Sequence, residues 1–282
     1  MESGGAHDGR MSGGKLVLLG LAILMGFVGC KKQNPADSPP LLCYVGGTMR
    51  PAMEKLAAHY ERETGVKVEL DYGDSGSNLI RVRIQRRGDL YVAHDPFLAP
   101  LLNEGLGDRG WTLATLRAVI VVPKGNPKKI TGLADLGKGG LRIVLTDPDY
   151  STMGHICPVM FDRANLRERI EANVLSRMRM GGEVANAVAL GRFDAGIVWD
   201  AVAYLRRDRL EAVTIEPAYR PHPDLDAVTS ATFGPIDMSK IKVFIATLTC
   251  SEQPAAARKF AEFCASQGGK AVFSELGFSP AD

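Results

Sequence analysis

None of the five cysteines stands in a CxxC pair, so the chain lacks the ligand spacing of a structural zinc site. No run of five like charges occurs, and 34 Lys and Arg against 32 Asp and Glu leave a formal charge of +2. That balance lacks the basic footprint of nucleic-acid binding, and no nucleic-acid partner is expected. The apolar run Leu16–Gly29 is about 14 residues, short of the ~20 that cross a bilayer as a helix. No internal repeat appears, and outside residues 31–40 no low-complexity block. No nucleophile–base pair or metal triad survives inspection, so an enzyme is not expected and no cofactor or metal is assigned.

What is present begins with an address. Arg10 and Lys15 precede the apolar run, and Phe27-Val28-Gly29-Cys30 follows it. This resembles the bacterial lipoprotein signal, which implies removal of residues 1–29, lipidation of Cys30 and a membrane-anchored, extracytoplasmic chain. Cleavage without lipidation is the alternative, since Phe27 is less usual than Leu there. Residues 30–40 are polar and Pro-rich and read as a tether. About 250 residues remain, enough for two compact lobes or one large domain. Cys43, Cys157, Cys250 and Cys264 allow three pairings; Cys43 and Cys264 sit in apolar patterns as small core residues.

From Leu41 onward strand and helix signals alternate, which argues for a parallel-rich α/β architecture. Leu41–Val45, Val66–Leu70 and Leu90–Ala93 read as strands, with helices at Pro51–Glu63 and Asn78–Arg87. Met53, Leu56, Ala57 and Tyr60 share one face of the first helix, which Gly65 stops. A second region has strands at Ala118–Val122, Leu141–Leu145 and Ala195–Trp199, with helices from about Gly154 and over Glu183–Arg192. Glu211–Met238 has no clean period and is expected to be irregular. Lys242–Leu248 is the last strand, and Ala255–Ser266 a helix that Gly268 and Gly269 end.

Four strand-to-helix junctions consist of small or hydroxyl residues: Gly46-Gly47-Thr48, Asp74-Ser75-Gly76-Ser77, Ser151-Thr152-Met153-Gly154 and Gly181-Gly182-Glu183-Val184. A helix start presents unpaired N–H groups and the positive end of its dipole, which suits an anion. One such junction is ordinarily a plain cap. Four along one exported chain point to a pocket that holds an oxyanion with neutral donors.

The order of several segments resembles the periplasmic molybdate-binding proteins, receptors of ABC importers. The segments are Met53–Leu70, Gly88–Asp95, Val122–Pro127, Leu133–Leu136, Leu145–Pro148, Ala195–Trp199 and Lys259–Phe278, spread over most of the chain. The resemblance implies the two-lobed type II periplasmic binding protein fold, with parallel-rich sheets and the ligand in a cleft between lobes. Lobe one would be 41–113 plus 246–282, and lobe two 114–245. Carried over by position, the binding groups fall on the Thr48 and Ser75 hydroxyls, the Met153 and Val184 backbone N–H groups, and Trp199, whose indole stands in place of a tyrosine. The implied ligand is molybdate, tungstate or a similar tetrahedral oxyanion. The implied partners are an importer permease and, through the lipid, a membrane; a monomer is expected.

Some residues depart from that pattern. Asp74 and Asp200 adjoin two of the proposed donors, where a carboxylate would repel an anion unless it turns away; the plainer reading of Asp74 is a cap or turn residue. Trp199 equally suits a core aromatic. Sulfate, a phosphonate, a ferric complex or an organic solute in the same cleft, or a tethered sensor, are therefore kept as alternatives. His155 and Cys157 are two soft ligands, too few for a metal site. Gly73-Asp74-Ser75-Gly76 also matches the nucleophile segment of trypsin-like proteases, with His59 upstream, but the α/β order around it does not resemble that family.

Overall fold

Strands and helices alternate to give two five-stranded mixed sheets flanked by helices. The computed structural model describes residues 1, 38–149, 151–221, 227–230, 234–237 and 241–281. All of the expected signal segment but Met1, together with Cys30 and most of the tether, lies outside them.

Along the chain, β1 (Leu41–Gly46) passes through a 3-10 turn at Gly47–Met49 into α1 (Arg50–Thr64), and β2 (Val68–Gly73) into α2 (Ser75–Gln85). β3 (Leu90–His94), α3 (Leu98–Asn103) and β4 (Gly107–Leu116) follow. The middle stretch runs β5 (Ala118–Pro123), β6 (Ile143–Thr146), α4 (Thr152–Arg163), α5 (Arg167–Glu171), β7 (Val174–Met178), α6 (Gly181–Ala189), β8 (Ala195–Trp199), α7 (Asp200–Tyr204) and β9 (Leu210–Thr214). A hairpin of β10 (Ala227–Ser230) and β11 (Gly234–Asp237) precedes β12 (Ile241–Leu248), α8 (Pro254–Ala265) and α9 (Gln267–Glu275).

The first sheet has the order β2-β1-β3-β12-β4 and the second β7-β6-β8-β5-β9. In the first, β1 pairs parallel with β2 and β3, while β12 runs antiparallel to β3 and β4. In the second, β6 pairs parallel with β7 and β8, and β5 runs antiparallel to β8 and β9. The chain leaves the first sheet at Arg117, between β4 and β5, and rejoins it with β12. Parallel strands followed by helices put their carboxyl ends at one edge of each sheet, where α/β proteins place ligands.

Period-two alternation fills both faces of the first sheet. Cys43, Val45, Val92 and Ile245 belong to the core that includes Met53 and Leu56 of α1 and Phe260 of α8. Their neighbours Tyr44, Tyr91, Phe244 and Ala246 belong to a separate core with Leu79 and Val82 of α2 and Leu101 of α3. Each large apolar side chain so buried contributes roughly 1.5–3 kcal/mol, which makes the sheet a rigid base for the loops at its edge. Helix α1 ends as its spacing requires: Gly65 adopts φ 75° and donates its N–H to Glu61 O at 2.8 Å.

Two expectations are corrected. The stretch Glu211–Met238 is not irregular throughout: its start belongs to β9, an edge strand paired with β5, and β10 and β11 pair antiparallel within it. With Leu210 buried and Ala212 and Thr214 exposed, the strand carries too little apolar alternation to announce itself, and its pairing with β5 supplies the rest. Gly268 and Gly269 do not end the helix before them. Ser266 caps α9, accepting Gly269 N–H at 3.1 Å, and Gly269 packs so close to α8 that a β-carbon would lie 2.1 Å from Cys264 O. The glycine is there for close approach rather than for termination.

Candidate functional site

The carboxyl ends of β1 and β2 bring two of the expected donors into neighbouring loops. Thr48 lies half-buried in the 3-10 turn after β1, and Ser75 is the buried first residue of α2. Ser75 Oγ leans over Gly46, where an added β-carbon would sit only 2.7 Å from it, so Gly46 makes room for the hydroxyl. Ser75 is held from behind: Tyr91 Oη donates to its carbonyl at 2.7 Å, and Asn78 Nδ2 donates to Val45 O at 3.2 Å, tying α2 to β1. Neither the Thr48 nor the Ser75 hydroxyl makes a hydrogen bond to another described residue, so both are available to a ligand.

Asp74 is a cap. Its carboxylate accepts Ser77 N–H at 2.8 Å and is exposed. Glu183 similarly accepts Met180 N–H at 3.1 Å at the start of α6. Two of the four helix starts thus carry their own carboxylate, which takes up part of the dipole's positive end.

In the second sheet the expected backbone donors lie beyond β6 and β7. Met153 is buried in the first turn of α4, and Gly154 presses on the preceding loop, its hypothetical β-carbon 2.5 Å from Pro148 N. Val184 is buried at the start of α6, with its N–H directed at Met180 O over 3.3 Å, a long bond. The amides of Gly181 and Gly182, by their place in the first turn, have no partner within the helix.

Trp199 ends β8, buried, with its ring in edge contact with His94 at the end of β3, centroids 6.0 Å apart. This contact joins the carboxyl edges of the two sheets. Sequence reasoning did not single out His94; its place at the end of β3, beside the strands that carry Thr48 and Ser75, is the signal that could have found it. His94 Nδ1 donates to Asp95 O at 2.7 Å, and burial pushes the ring's pKa down, favouring the neutral form with Nε2 as an acceptor.

Asp200 is occupied elsewhere. Its carboxylate accepts Arg117 N–H at 3.2 Å, Ala201 N–H at 2.9 Å and the Ser279 hydroxyl at 2.8 Å, tying α7 to the junction of β4 and β5 and to the C-terminal segment. Burial nonetheless raises its pKa above the ordinary carboxylate value, outweighing those bonds. A carboxyl raised in this way contributes stability fully below its unfolded pKa and loses it as pH rises through the folded one. Asp200→Asn is therefore expected to melt at or above wild type at neutral pH, with the advantage fading toward about pH 4. Melting curves across that range check it, and an advantage that grows on acidification would contradict the assignment.

Several other residues are placed away from such chemistry. Cys43, Cys157, Cys250 and Cys264 are all free thiols, and burial pushes Cys157 up to about 12. Among the described residues no group of three or more His, Cys, Asp and Glu could hold a metal ion. His59 is exposed on α1, 3.0 Å from Glu63, and α1 covers the face of the first sheet opposite to α2 and Ser75. The protease-like segment is a coincidence of spacing.

The chain is 24% identical over 274 residues to the molybdate-binding protein ModA of Mycobacterium tuberculosis (strain ATCC 25618 / H37Rv), covering 93% of this chain and 96% of that protein. Its fold is similar to that of the sulfate-binding protein SubI from Mycobacterium tuberculosis H37Rv (TM-score 0.68, 19% identity, 87% of this chain and 88% of that one). It is also similar to the Azotobacter vinelandii periplasmic molybdate-binding protein (TM-score 0.66, 16% identity, 86% of this chain and 100% of that one). Matched over residues 41–279, the chain belongs to the bacterial extracellular solute-binding proteins.

Proposed function

We propose that this protein captures a tetrahedral oxyanion, molybdate or tungstate, between its two lobes and delivers it to an ABC importer permease. The observation that carries this reading is the pair of hydroxyls on Thr48 and Ser75, in adjoining loops and unbonded within the described protein. Met153 and Val184 would add backbone N–H groups from the second sheet, and Trp199 its indole N–H. A dianion held by several oriented neutral dipoles has its charge spread over many bonds, and the spacing of those donors selects by anion radius. Closure of the lobes would desolvate the ion and shift the population toward the closed state. Lipidation at Cys30 would hold a monomeric receptor at the membrane, with residues 31–40 as its tether.

A second reading is sulfate in the same cleft, favoured by the likeness in fold to a sulfate-binding protein. Calorimetric titration of the ligand-stripped protein with molybdate, tungstate, sulfate and phosphate separates the two. Molybdate or tungstate is expected to bind about a hundredfold tighter than sulfate, a difference of roughly 3 kcal/mol. The reverse order would establish the sulfate reading, and no binding to any of the four would overturn the oxyanion assignment.

A further inference from the structure

The hydroxyl of Thr146 lies outside the expected donor set. It is the only buried side-chain polar atom among the described residues that has no hydrogen-bond partner. Thr146 is fully buried at the last position of β6. A donor shut away from water and left unbonded is costly, and such groups are rare unless something absent from the bare chain completes them.

Its position says what that could be. Residues 144 and 146 of β6 point to the same face of the second sheet. That face is the one under α6: a β-carbon on Gly196 of the neighbouring β8 would lie 3.5 Å from Val144 Cγ1 and 2.6 Å from Val184 Cγ1. Thr146 is also in register with Met178, the last residue of β7, three residues before α6 begins. On its other side the chain runs through Asp147 and Pro148 into α4, whose Gly154 rests against them. The hydroxyl therefore sits at the carboxyl edge of the sheet, between the two helix starts that carry Met153 and Val184.

We propose that Thr146 is a further ligand-binding residue, whose hydroxyl donates to an oxyanion oxygen from the floor of the second lobe. This rests on the oxyanion reading and adds to it a hydroxyl donor from the second sheet. Thr48 and Ser75 supply hydroxyls from the first lobe; Thr146 supplies one from the second, beside the Met153 and Val184 amides and the Trp199 indole. A hydroxyl anchored on a buried strand moves less than a loop amide, and it would sharpen selection by anion radius.

The test uses the purified full chain, stripped of ligand, and molybdate, tungstate, sulfate and phosphate as probes. For whichever anion wild type binds best, Thr146→Val is expected to lose about tenfold or more in affinity, since a hydrogen bond to a charged group is removed. Thr146→Ser, which keeps the hydroxyl, is expected to stay within about threefold of wild type. The ligand-free Thr146→Val protein is expected to melt no lower than wild type, because valine has the same shape and no orphaned hydroxyl. Wild-type binding that Thr146→Val leaves unchanged would overturn this inference alone. A wild type that binds none of the four would overturn the oxyanion reading and this inference with it. A crystal structure of the wild-type complex gives a check independent of any variant: Thr146 Oγ1 is expected about 2.6–3.0 Å from an anion oxygen, and a gap above about 3.5 Å would rule the contact out.

Discussion

The double substitution Thr48→Ala with Ser75→Ala is expected to abolish oxyanion binding while leaving the protein folded. Each hydroxyl would donate to a charged acceptor, a bond worth roughly 1.5–3 kcal/mol, so removing both lowers affinity by about two to four orders of magnitude. Stability should change little, because neither hydroxyl bonds another described residue. The groups that hold this corner together are left in place: Tyr91 on the Ser75 carbonyl, Asn78 on the Val45 carbonyl, and Asp74 on Ser77 N–H. Calorimetry reads the affinity and circular dichroism the melt. Full affinity in the double variant would move the site elsewhere in the cleft. The single variants divide the loss, with Ser75→Ala expected to cost more, since Ser75 is the more deeply buried of the two.

Gly154→Ala is expected to damage both stability and binding. An alanine β-carbon there would lie 2.5 Å from Pro148 N and 2.6 Å from Asp147 C, which are backbone atoms with no rotamer to yield. Helix α4 would have to move off the 147–148 loop, and overpacking of this kind costs about 1–3 kcal/mol. The same shift displaces the first turn of α4, and with it the Met153 amide, by enough to weaken a hydrogen bond whose useful range is a few tenths of an ångström. Affinity is expected to fall at least about tenfold, alongside a melting temperature lower by several degrees. Gly182→Ala is the control, because a β-carbon there meets nothing within 4 Å; it is expected to retain the wild-type melt. Equal behaviour of the two variants would remove close packing as the reason for Gly154.

The elements with strong local signals were legible in the residues alone. The spacing of Met53, Leu56, Ala57 and Tyr60 marks the buried face of α1, and that of Ala257, Phe260, Ala261 and Cys264 the buried face of α8. Ala195–Trp199 is a strand over the same five residues in sequence and structure. These succeed because a helix face or a buried strand is a repeat that one short window contains. β9 was not legible, since an edge strand is stabilised by hydrogen bonds to β5, far away in the chain. α9 was missed because Gly268 and Gly269 look like a terminator until the contact of Gly269 with Cys264 is known.

The candidate site divides along the same line. Small and hydroxyl residues at four helix starts, and thus a taste for anions, can be read from residue types and their place before apolar periods. The cap at Asp74 is of that local kind, but that Asp200 binds Arg117, Ala201 and Ser279 cannot be read so, because a carboxylate's direction depends on which N–H and O–H groups the fold brings to it. The meeting of His94 with Trp199 and the unbonded hydroxyl of Thr146 belong to the same class. By itself the sequence determined an α/β chain of alternating strands and helices with anion-friendly junctions, since local periodicity and capping chemistry act over a few residues. Only the tertiary structure decided which junctions meet, which carboxylates turn aside and which hydroxyls stay free, because those depend on contacts between residues distant in the chain.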